Sequence, residues 1–183
     1  EITENDMLGG WNGLQTSSRY PDAYIQYLVQ YHAVRDYFEC HEILEDYWKD
    51  HPNSRYNQTW VMFIQLAVSL YHQRRGNRKG AIKLLSGAIK RFNETHMREL
   101  GVNGAQLLAM MKERLYSLQQ DERLAYADLD IPLTDPQLLA RCRHEADRQG
   151  YQWGRASDLS DTQLVNRHLL RDRSEVRRNM RKR

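Results

Sequence analysis

The chain has 183 residues and a net charge of +3, and it is 40% hydrophobic and 28% charged, as expected for a soluble protein of one domain with its own core. The longest apolar run, 60–70, is broken by Gln65 and Ser69 and is shorter than the ~20 residues that cross a membrane, so no spanning segment is expected. Cys40 and Cys142 are too few for a disulfide framework and are typical of reduced thiols in a cytoplasmic protein.

The charge is unevenly distributed along the chain. Residues 167–183 contain eight basic and two acidic side chains, a net charge of +6, which leaves −3 for the rest of the chain. The basic residues of this tail are Arg167, Arg171, Arg173, Arg177, Arg178, Arg181, Lys182 and Arg183. Such a run is typical of a solvated terminal helix, and it could also make weak contacts with nucleic-acid phosphates.

Two helices are predicted near the start of the chain. A polar arm at residues 1–19 precedes the first helix, which opens at Pro21, a residue suited to the first turn, and ends near Arg35. The second helix covers about 37–50. It ends before Pro52, because the residue preceding a proline avoids the helical region.

The third helix, about 55–75, is apolar around most of its circumference and is therefore predicted at the centre of the fold. One narrow polar stripe interrupts it, formed by Gln65, Ser69 and His72, which lie within about 60° of one another on the helix.

The fourth helix is predicted from about Arg78 to Thr95 and contains Gly80 and Gly87, seven residues apart. A glycine inside a helix costs about 1 kcal/mol relative to alanine. Their position therefore indicates that a neighbouring helix approaches this face closely.

The rest of the chain is also predicted to be helical. A fifth helix covers about 103–120, an extended segment follows at 131–133, Asp135 caps a short helix to about Arg148, and a last helix begins near Ser160. No alternating strand pattern occurs. The sequence predicts an all-α fold: a compact helical bundle of four to five main helices at 20–130, and a C-terminal helical extension at 131–183 that ends in the basic helix.

The second helix places charged residues where a core is expected. At about 100° per residue, one stripe roughly 120° wide holds Phe38, His41, Leu44, Glu45 and Trp48, and Glu42 lies at its edge. Buried carboxylates are unfavourable unless they are paired, hydrogen-bonded or bound to metal. We therefore predict a polar pocket of five residues, with the first three on the second helix and the others on the third: His41, Glu42, Glu45, Gln65 and His72.

Residues 20–92 carry a fairly specific combination of motifs. They are Phe38-Glu39-x-His41-Glu42-x-Leu44-Glu45-x-x-Trp48, Gln65-x-Ala67, His72 and Gly76-Asn77-x-x-Gly80-Ala81. In these motifs the chain resembles a prokaryotic family catalogued as domain of unknown function 309. The resemblance implies a compact helical bundle and a soluble intracellular protein, and it implies no substrate or catalytic mechanism.

A divalent metal is one candidate occupant of the predicted pocket. His41 and Glu45, four residues apart, can reach one cation, and His72 could complete the site. The sequence His-Glu-x-x-Glu has a glutamate where zinc hydrolases have a second histidine, and carboxylate-rich sites suit manganese, magnesium or iron better. A di-iron site would need Glu-x-x-His, which Glu39 does not provide because it precedes His41 by two residues.

Two interpretations without metal stay open for the same residues. They could form a structural network of charge-assisted hydrogen bonds, or they could line a pocket for another ligand. Trp48 and Trp60 could line such a pocket, although their spacing is more typical of core residues. Cys40 has no basic neighbour that would favour a thiolate. The remaining histidines are expected at the surface or as caps: His32, His51, His96, His144 and His168.

Three functions follow from these patterns. The first is a binding or scaffold module whose polar pocket takes a small ligand or a protein partner. The second is a metal-dependent hydrolase in which Glu42 or Glu45 acts as base while His41 and His72 bind the metal. The third is a nucleic-acid accessory protein acting through residues 167–183.

Overall fold

The computed structural model describes residues 19–169, in which short loops connect a series of helices. Helix α1 (Asp22–Val29) continues into a π-helical turn (Gln30–Val34) and is followed by α2 (Tyr37–Asp50), α3 (Asn57–Arg74), α4 (Arg78–Lys90), α5 (Glu94–Glu99), α6 (Gly104–Gln120), α7 (Pro136–Arg148) and α8 (Thr162–Val165). The predicted all-α class is confirmed. An isolated bridge joins Val102 to Leu133. Of the helices in this part of the chain, none is long and apolar enough to cross a membrane.

Side-chain caps determine where most of these helices begin. An Asp or Asn residue before α2, α4, α5, α6, α7 and α8 accepts a hydrogen bond from a backbone N–H of the first turn, which stabilises a helix by about 1 kcal/mol. The predicted cap at Asp135 is confirmed. The prediction that the fourth helix continues to Thr95 is wrong, because Asn93 caps a separate helix, α5.

Helix α3 lies at the centre of the fold, packed between α2 and α4. Its side chains are buried on several faces, including Trp60, Phe63, Leu66 and Leu70. Because apolar residues cover most of its circumference, α3 can bury surface against both neighbours at once. The predicted central position of this helix is confirmed.

Buried tyrosines fix the first helical segment to the rest of the core. The hydroxyls of Tyr24, Tyr27 and Tyr31 donate hydrogen bonds to the backbone carbonyls of Leu100 (2.8 Å), Phe63 (2.8 Å) and Leu129 (2.6 Å). Each hydroxyl is thus satisfied in the interior, as a buried polar group must be. The three bonds reach three different parts of the chain.

The chain after residue 128 contributes to the same core as the helices before it. The buried side chains of α7 belong to the main hydrophobic cluster: Leu138, Cys142 and Ala146. The N-terminal end of α7 is joined to the segment before α1 by the hydroxyl of Tyr20, which donates to Asp135 at 2.5 Å.

His32 is a buried residue, which corrects its predicted place at the surface or in a cap. It is only 3% exposed. Its Nε2 accepts a hydrogen bond from the backbone N–H of Ile131 at 3.0 Å, so Nδ1 carries the proton and donates to the carbonyl of Leu28 at 3.2 Å. His32 therefore connects the first helical segment to the extended segment before α7.

A polar cluster around Asp128 joins the loops near α6 and α8 to the core. Asp128 accepts hydrogen bonds from the hydroxyls of Tyr126 (2.6 Å) and Tyr37 (3.0 Å), and from the backbone N–H (2.8 Å) and hydroxyl (2.5 Å) of Ser157. Arg35 lies 3.8 Å away. These bonds satisfy both carboxylate oxygens in a half-buried site.

Candidate functional site

His41 and Glu45 form a hydrogen-bonded dyad on the surface of α2. Nε2 of His41 lies 2.8 Å from a carboxylate oxygen of Glu45, and the other oxygen lies 2.8 Å from Nζ of Lys49. Both pairs have the i, i+4 spacing that places side chains over one another on a helix. The hydrogen bond from Lys49 lowers the pKa of the Glu45 carboxyl from its ordinary value.

The dyad is less buried than its sequence pattern suggests. The side chains of His41 and Glu45 are 29% and 32% exposed. The fully buried residues of α2 are Tyr37, Cys40 and Leu44, so the inner face of this helix is turned by about 70° from the predicted stripe, at 100° per residue. Phe38 and Trp48, two of the apolar residues that defined the predicted stripe, are only half-buried.

Gln65 and His72, on the polar stripe of α3, contact α4. The side-chain amide of Gln65 accepts a hydrogen bond from Arg91 at 3.2 Å. Nδ1 of His72 lies 3.2 Å from Nδ2 of Asn77, the residue that caps α4. The predicted proximity of a glycine face to a neighbouring helix is confirmed, because Gly80 lies against His72 and Gly87 against Gln65.

His41 and His72 nevertheless line one small cavity between the two helices. This α2–α3 cleft has a volume of about 120 Å³ and is lined by Phe38, His41, Val68, Tyr71, His72, Arg75 and His168. Among the five predicted pocket residues, the cleft brings together His41 and His72. Gln65 lies on the α4 side, Glu45 is held beside Lys49, and Glu42 is half-buried on α2 outside the cleft.

His168, Tyr71 and Arg75 are cleft residues that the sequence analysis missed. Nε2 of His168 lies 3.0 Å from a guanidinium nitrogen of Arg75, which can only donate, so Nε2 accepts and Nδ1–H is directed to the hydroxyl of Tyr71. His168 lies beyond the end of α8 at Val165, so helical spacing did not indicate its place in the cleft.

The two other imidazoles of the cleft have different proton arrangements. Asn77 Oδ1 accepts from the Gly80 N–H, so its Nδ2 donates to Nδ1 of His72, which leaves Nε2–H as the remaining donor of the neutral ring. Burial, and then the charge of Arg75, lower the pKa of His72. His41 gives its Nε2–H to Glu45, and its Nδ1 is buried without a hydrogen-bond partner among the described residues.

Of the three predicted metal ligands, His41 and His72 line the cleft, and Glu45 is held beside Lys49. Within residues 19–169, no group of three or more His, Cys, Asp or Glu side chains is arranged to hold a metal ion. The basic tail lies outside the described residues beyond Leu169. Arg167 pairs with Asp36 at 3.1 Å, so one of its eight basic side chains is engaged within the protein. A contact with nucleic acid stays a prediction.

Comparison with known proteins identifies a relative that spans most of the chain. A family model described as "Domain of unknown function (DUF309)" matches residues 24–84, which include α2 and α3. The chain is 45% identical over 159 residues to the uncharacterized protein YpuF of Bacillus subtilis (strain 168), covering 86% of this chain and 90% of that protein. No solved structure shows a significant match. The similarity to this relative extends well beyond the family segment.

Proposed function

The chain belongs to the DUF309 family, and on that premise we propose that it is a binding module whose ligand occupies the α2–α3 cleft. The observation that carries this proposal is the unpartnered Nδ1 of His41. A buried polar atom without a partner is unfavourable, by about 1–3 kcal/mol. A ligand that supplies the missing hydrogen bond gains part of that free energy on binding.

The dyad determines which kind of group the ligand must present. Glu45 accepts a hydrogen bond from the Nε2–H group of His41. In a neutral imidazole, the other nitrogen, Nδ1, is then a hydrogen-bond acceptor. The ligand therefore carries an N–H or O–H donor. His72 contributes a donor of its own, so an acceptor next to the ligand's donor would add a second bond.

The walls and the volume of the cleft restrict the rest of the ligand. Phe38, Val68 and Tyr71 make the walls largely apolar, and about 120 Å³ is available. That space accommodates one ring of about six atoms. A small apolar molecule with one donor, such as a phenol, fits these requirements.

A metal-dependent hydrolase is the second candidate, and one observation favours it. A metal-bound histidine commonly donates its other ring N–H to a carboxylate, and His41 does so to Glu45. His72 would then be the second ligand. In this alternative the cleft must obtain further ligands from water or substrate, because His168 already uses both ring nitrogens.

A comparison of phenol with toluene tests the binding proposal. The protein labelled with ¹⁵N-histidine is titrated with each compound, and the ring signals of His41 are followed by NMR. Phenol should bind about fivefold more tightly than toluene, because the rings match in size and one neutral hydrogen bond contributes ~1 kcal/mol. The variant His41→Gln should lose this preference, and His144→Gln, at an exposed position of α7, should keep it.

The outcomes separate the alternatives. Equal binding of phenol and toluene would show that the dyad does not recognise the ligand, and no binding of either would overturn the cleft as a site. Metal analysis of protein purified without a metal-affinity step tests the hydrolase. Near-stoichiometric metal in the unmodified chain, and its loss in Glu45→Gln, would favour that candidate over the binding module.

A further inference from the structure

A second and larger cavity lies at the other end of α2. It has a volume of about 450 Å³, is open to solvent on one side, and lies where α2 ends, α3 begins, α5 ends and the described chain begins. We call it the Trp60 pocket and define it by six of its lining residues: Arg19, Tyr47, Ser54, Tyr56, Trp60 and Glu99. Its volume is in the range of small-molecule binding sites.

Trp60 lines this pocket and has an unsatisfied hydrogen-bond donor. The residue is 1% exposed, and its indole Nε1 is buried with no hydrogen-bond partner in the described part of the chain. An indole nitrogen can only donate. Buried indole N–H groups usually find an acceptor, so an acceptor is the missing element here.

The carboxylate that lines this pocket, Glu99, already accepts hydrogen bonds from other side chains. The carboxylate of Glu99 accepts two hydrogen bonds from the guanidinium of Arg55, at 2.7 and 3.2 Å, and one from the hydroxyl of Tyr56 at 2.5 Å. It therefore does not serve the indole.

Two other polar side chains around the pocket, Ser54 and Arg19, have hydrogens free to donate. Ser54 Oγ accepts the backbone N–H of Tyr56 at 3.2 Å, which leaves its own hydroxyl proton to donate. Arg19 donates to the Glu99 carbonyl at 3.3 Å and has further N–H groups. The lining contains two arginines, Arg19 and Arg55, and one carboxylate, Glu99, so its formal charge is +1.

Aromatic side chains form the apolar part of the wall. The rings of Tyr47 and Tyr56 each stand edge-on to Trp60, with ring centroids 5.7 Å apart in both pairs. This arrangement fixes the indole between two tyrosines. A flat apolar body can pack against these rings.

We propose that the Trp60 pocket binds a small aromatic carboxylate. The ring lies against Tyr47 and Tyr56, and the carboxylate accepts hydrogen bonds from the Trp60 indole and the Ser54 hydroxyl. Arg19 adds a charge-assisted bond at the rim. The site is separate from the α2–α3 cleft and needs a ligand of the opposite kind, an acceptor rather than a donor.

Phenylacetate and phenethylamine test this assignment, because they share an aromatic body and carry opposite charges. The full chain labelled with ¹⁵N-tryptophan is titrated with each, and the indole signal of Trp60 is identified with the variant Trp60→Phe. Phenylacetate should move that signal downfield as the N–H gains an acceptor. Phenethylamine should leave it in place.

Matched variants separate recognition from folding. Arg19→Ala and Ser54→Ala should each weaken phenylacetate binding, by about tenfold for the arginine because its bond is charge-assisted. Arg98→Ala, which removes the same charge from an exposed position of α5 outside the pocket, should leave the Kd unchanged. The two pocket variants remain informative if Trp60→Phe fails to fold.

Three results would overturn the proposal. The first is an unmoved Trp60 signal at saturating phenylacetate, which would mean that the N–H is satisfied by a neighbouring aromatic ring. The second is equal affinity for the two probes. The third is a change in the Trp60 signal of the free protein when Trp11 or Leu8 is replaced by Ala, which would make residues 1–18 the occupant.

Discussion

Gly87 of α4 lies directly against the side-chain amide of Gln65 in α3. A Cβ atom on Gly87 would stand 2.9 Å from both Nε2 and Oε1 of Gln65. The same amide accepts the hydrogen bond from Arg91. The two helices therefore approach each other over a position that has no side chain, and a polar group of the central helix occupies the space.

A leucine at position 87 should destabilise the protein. Gly87→Leu introduces four carbons where Gln65 already lies, so we expect the free energy of unfolding to fall by about 1–3 kcal/mol. Urea unfolding followed by circular dichroism measures the change. Lys83→Leu, at an exposed position of the same helix, is the control and should change stability little.

Gly87→Ala should be close to neutral. Alanine favours the helix by about 1 kcal/mol over glycine, and the amide of Gln65 is the end of a flexible side chain that can move. This movement of Gln65 would break the hydrogen bond that it accepts from Arg91. If Gly87→Leu proves as stable as the unmodified chain, the claim that α3 and α4 approach each other closely at this point is wrong.

Asp128 should be among the polar residues on which stability depends most. It accepts four hydrogen bonds, and Asp128→Asn replaces one accepting oxygen with a donor that faces other donors. We expect a loss of about 1.5–3 kcal/mol, the range for hydrogen bonds to a charged group.

Asp130 provides the matched control for Asp128. It pairs with Arg35 at 2.6 Å, but its side chain is 63% exposed. Solvent screens such pairs, so Asp130→Asn should cost less than about 1 kcal/mol. Equal effects of the two variants in urea unfolding would contradict the assignment of Asp128 as the centre of this cluster.

His32 should make the protein less stable in acid. Burial lowers the pKa of His32 to about 4, although the negative charge of Asp130 acts to raise it. A histidine in the unfolded chain has a pKa of about 6.5. Between these values the unfolded state binds a proton that the folded state does not, so stability falls as the pH decreases from about 6.5 to 4. The loss attributable to His32 approaches about 3 kcal/mol and then levels off.

The variant His32→Gln removes this dependence. Its stability should change less between pH 6.5 and 4 than that of the unmodified chain, although it is lower at pH 7 because the bonds to Leu28 and Ile131 change. His144→Gln, which alters an exposed histidine, should keep the original pH dependence. Identical curves for His32→Gln and the unmodified chain would show that His32 takes up its proton in the folded state.

Glu45→Gln should change stability only slightly. Both members of the dyad are about 30% exposed, so we expect a loss below about 1 kcal/mol at neutral pH. The pKa of Glu45 is lowered in the folded state. Its contribution is therefore present above the pKa of an unfolded glutamate and disappears as the pH falls below about 4. A loss several times larger would indicate that the dyad is buried, and Glu113→Gln, on the exposed face of α6, is the control.

The helices could be predicted largely from the sequence, because their signals are local. Periodic apolar residues, Pro52 and the Asp135 cap act within one or two turns. The central position of α3 could be predicted as well, since a helix that is apolar on most faces has to be surrounded. The end of α4 could not be predicted. After Lys90 the chain forms a new helix, α5, although one continuous helix was equally compatible with the sequence pattern.

The candidate site was predicted only in part, for a physical reason. His41 and His72 are in one cleft, but the contact depends on how far α2 is rotated about its axis. That rotation is set by Tyr37 and Cys40, which pack into the core, and local hydrophobicity ranks them no higher than Phe38 and Trp48. His168 joins the cleft from about 100 residues away in sequence, a distance over which periodicity carries no information.

The tyrosine hydroxyls of the first helical segment have a consequence for cooperativity. Helix α1 has only 8 residues and would not persist alone in water. Tyr24 and Tyr27 anchor it at the end of α5 and on α3, and Tyr31 of the π-helical turn that follows is bonded to the segment before α7. The first helical segment therefore cannot detach without breaking contacts with all three. The smallest unit that can open around α1 is therefore nearly the whole domain. Its backbone amides should exchange with deuterium as slowly as those of the central helix, through global unfolding.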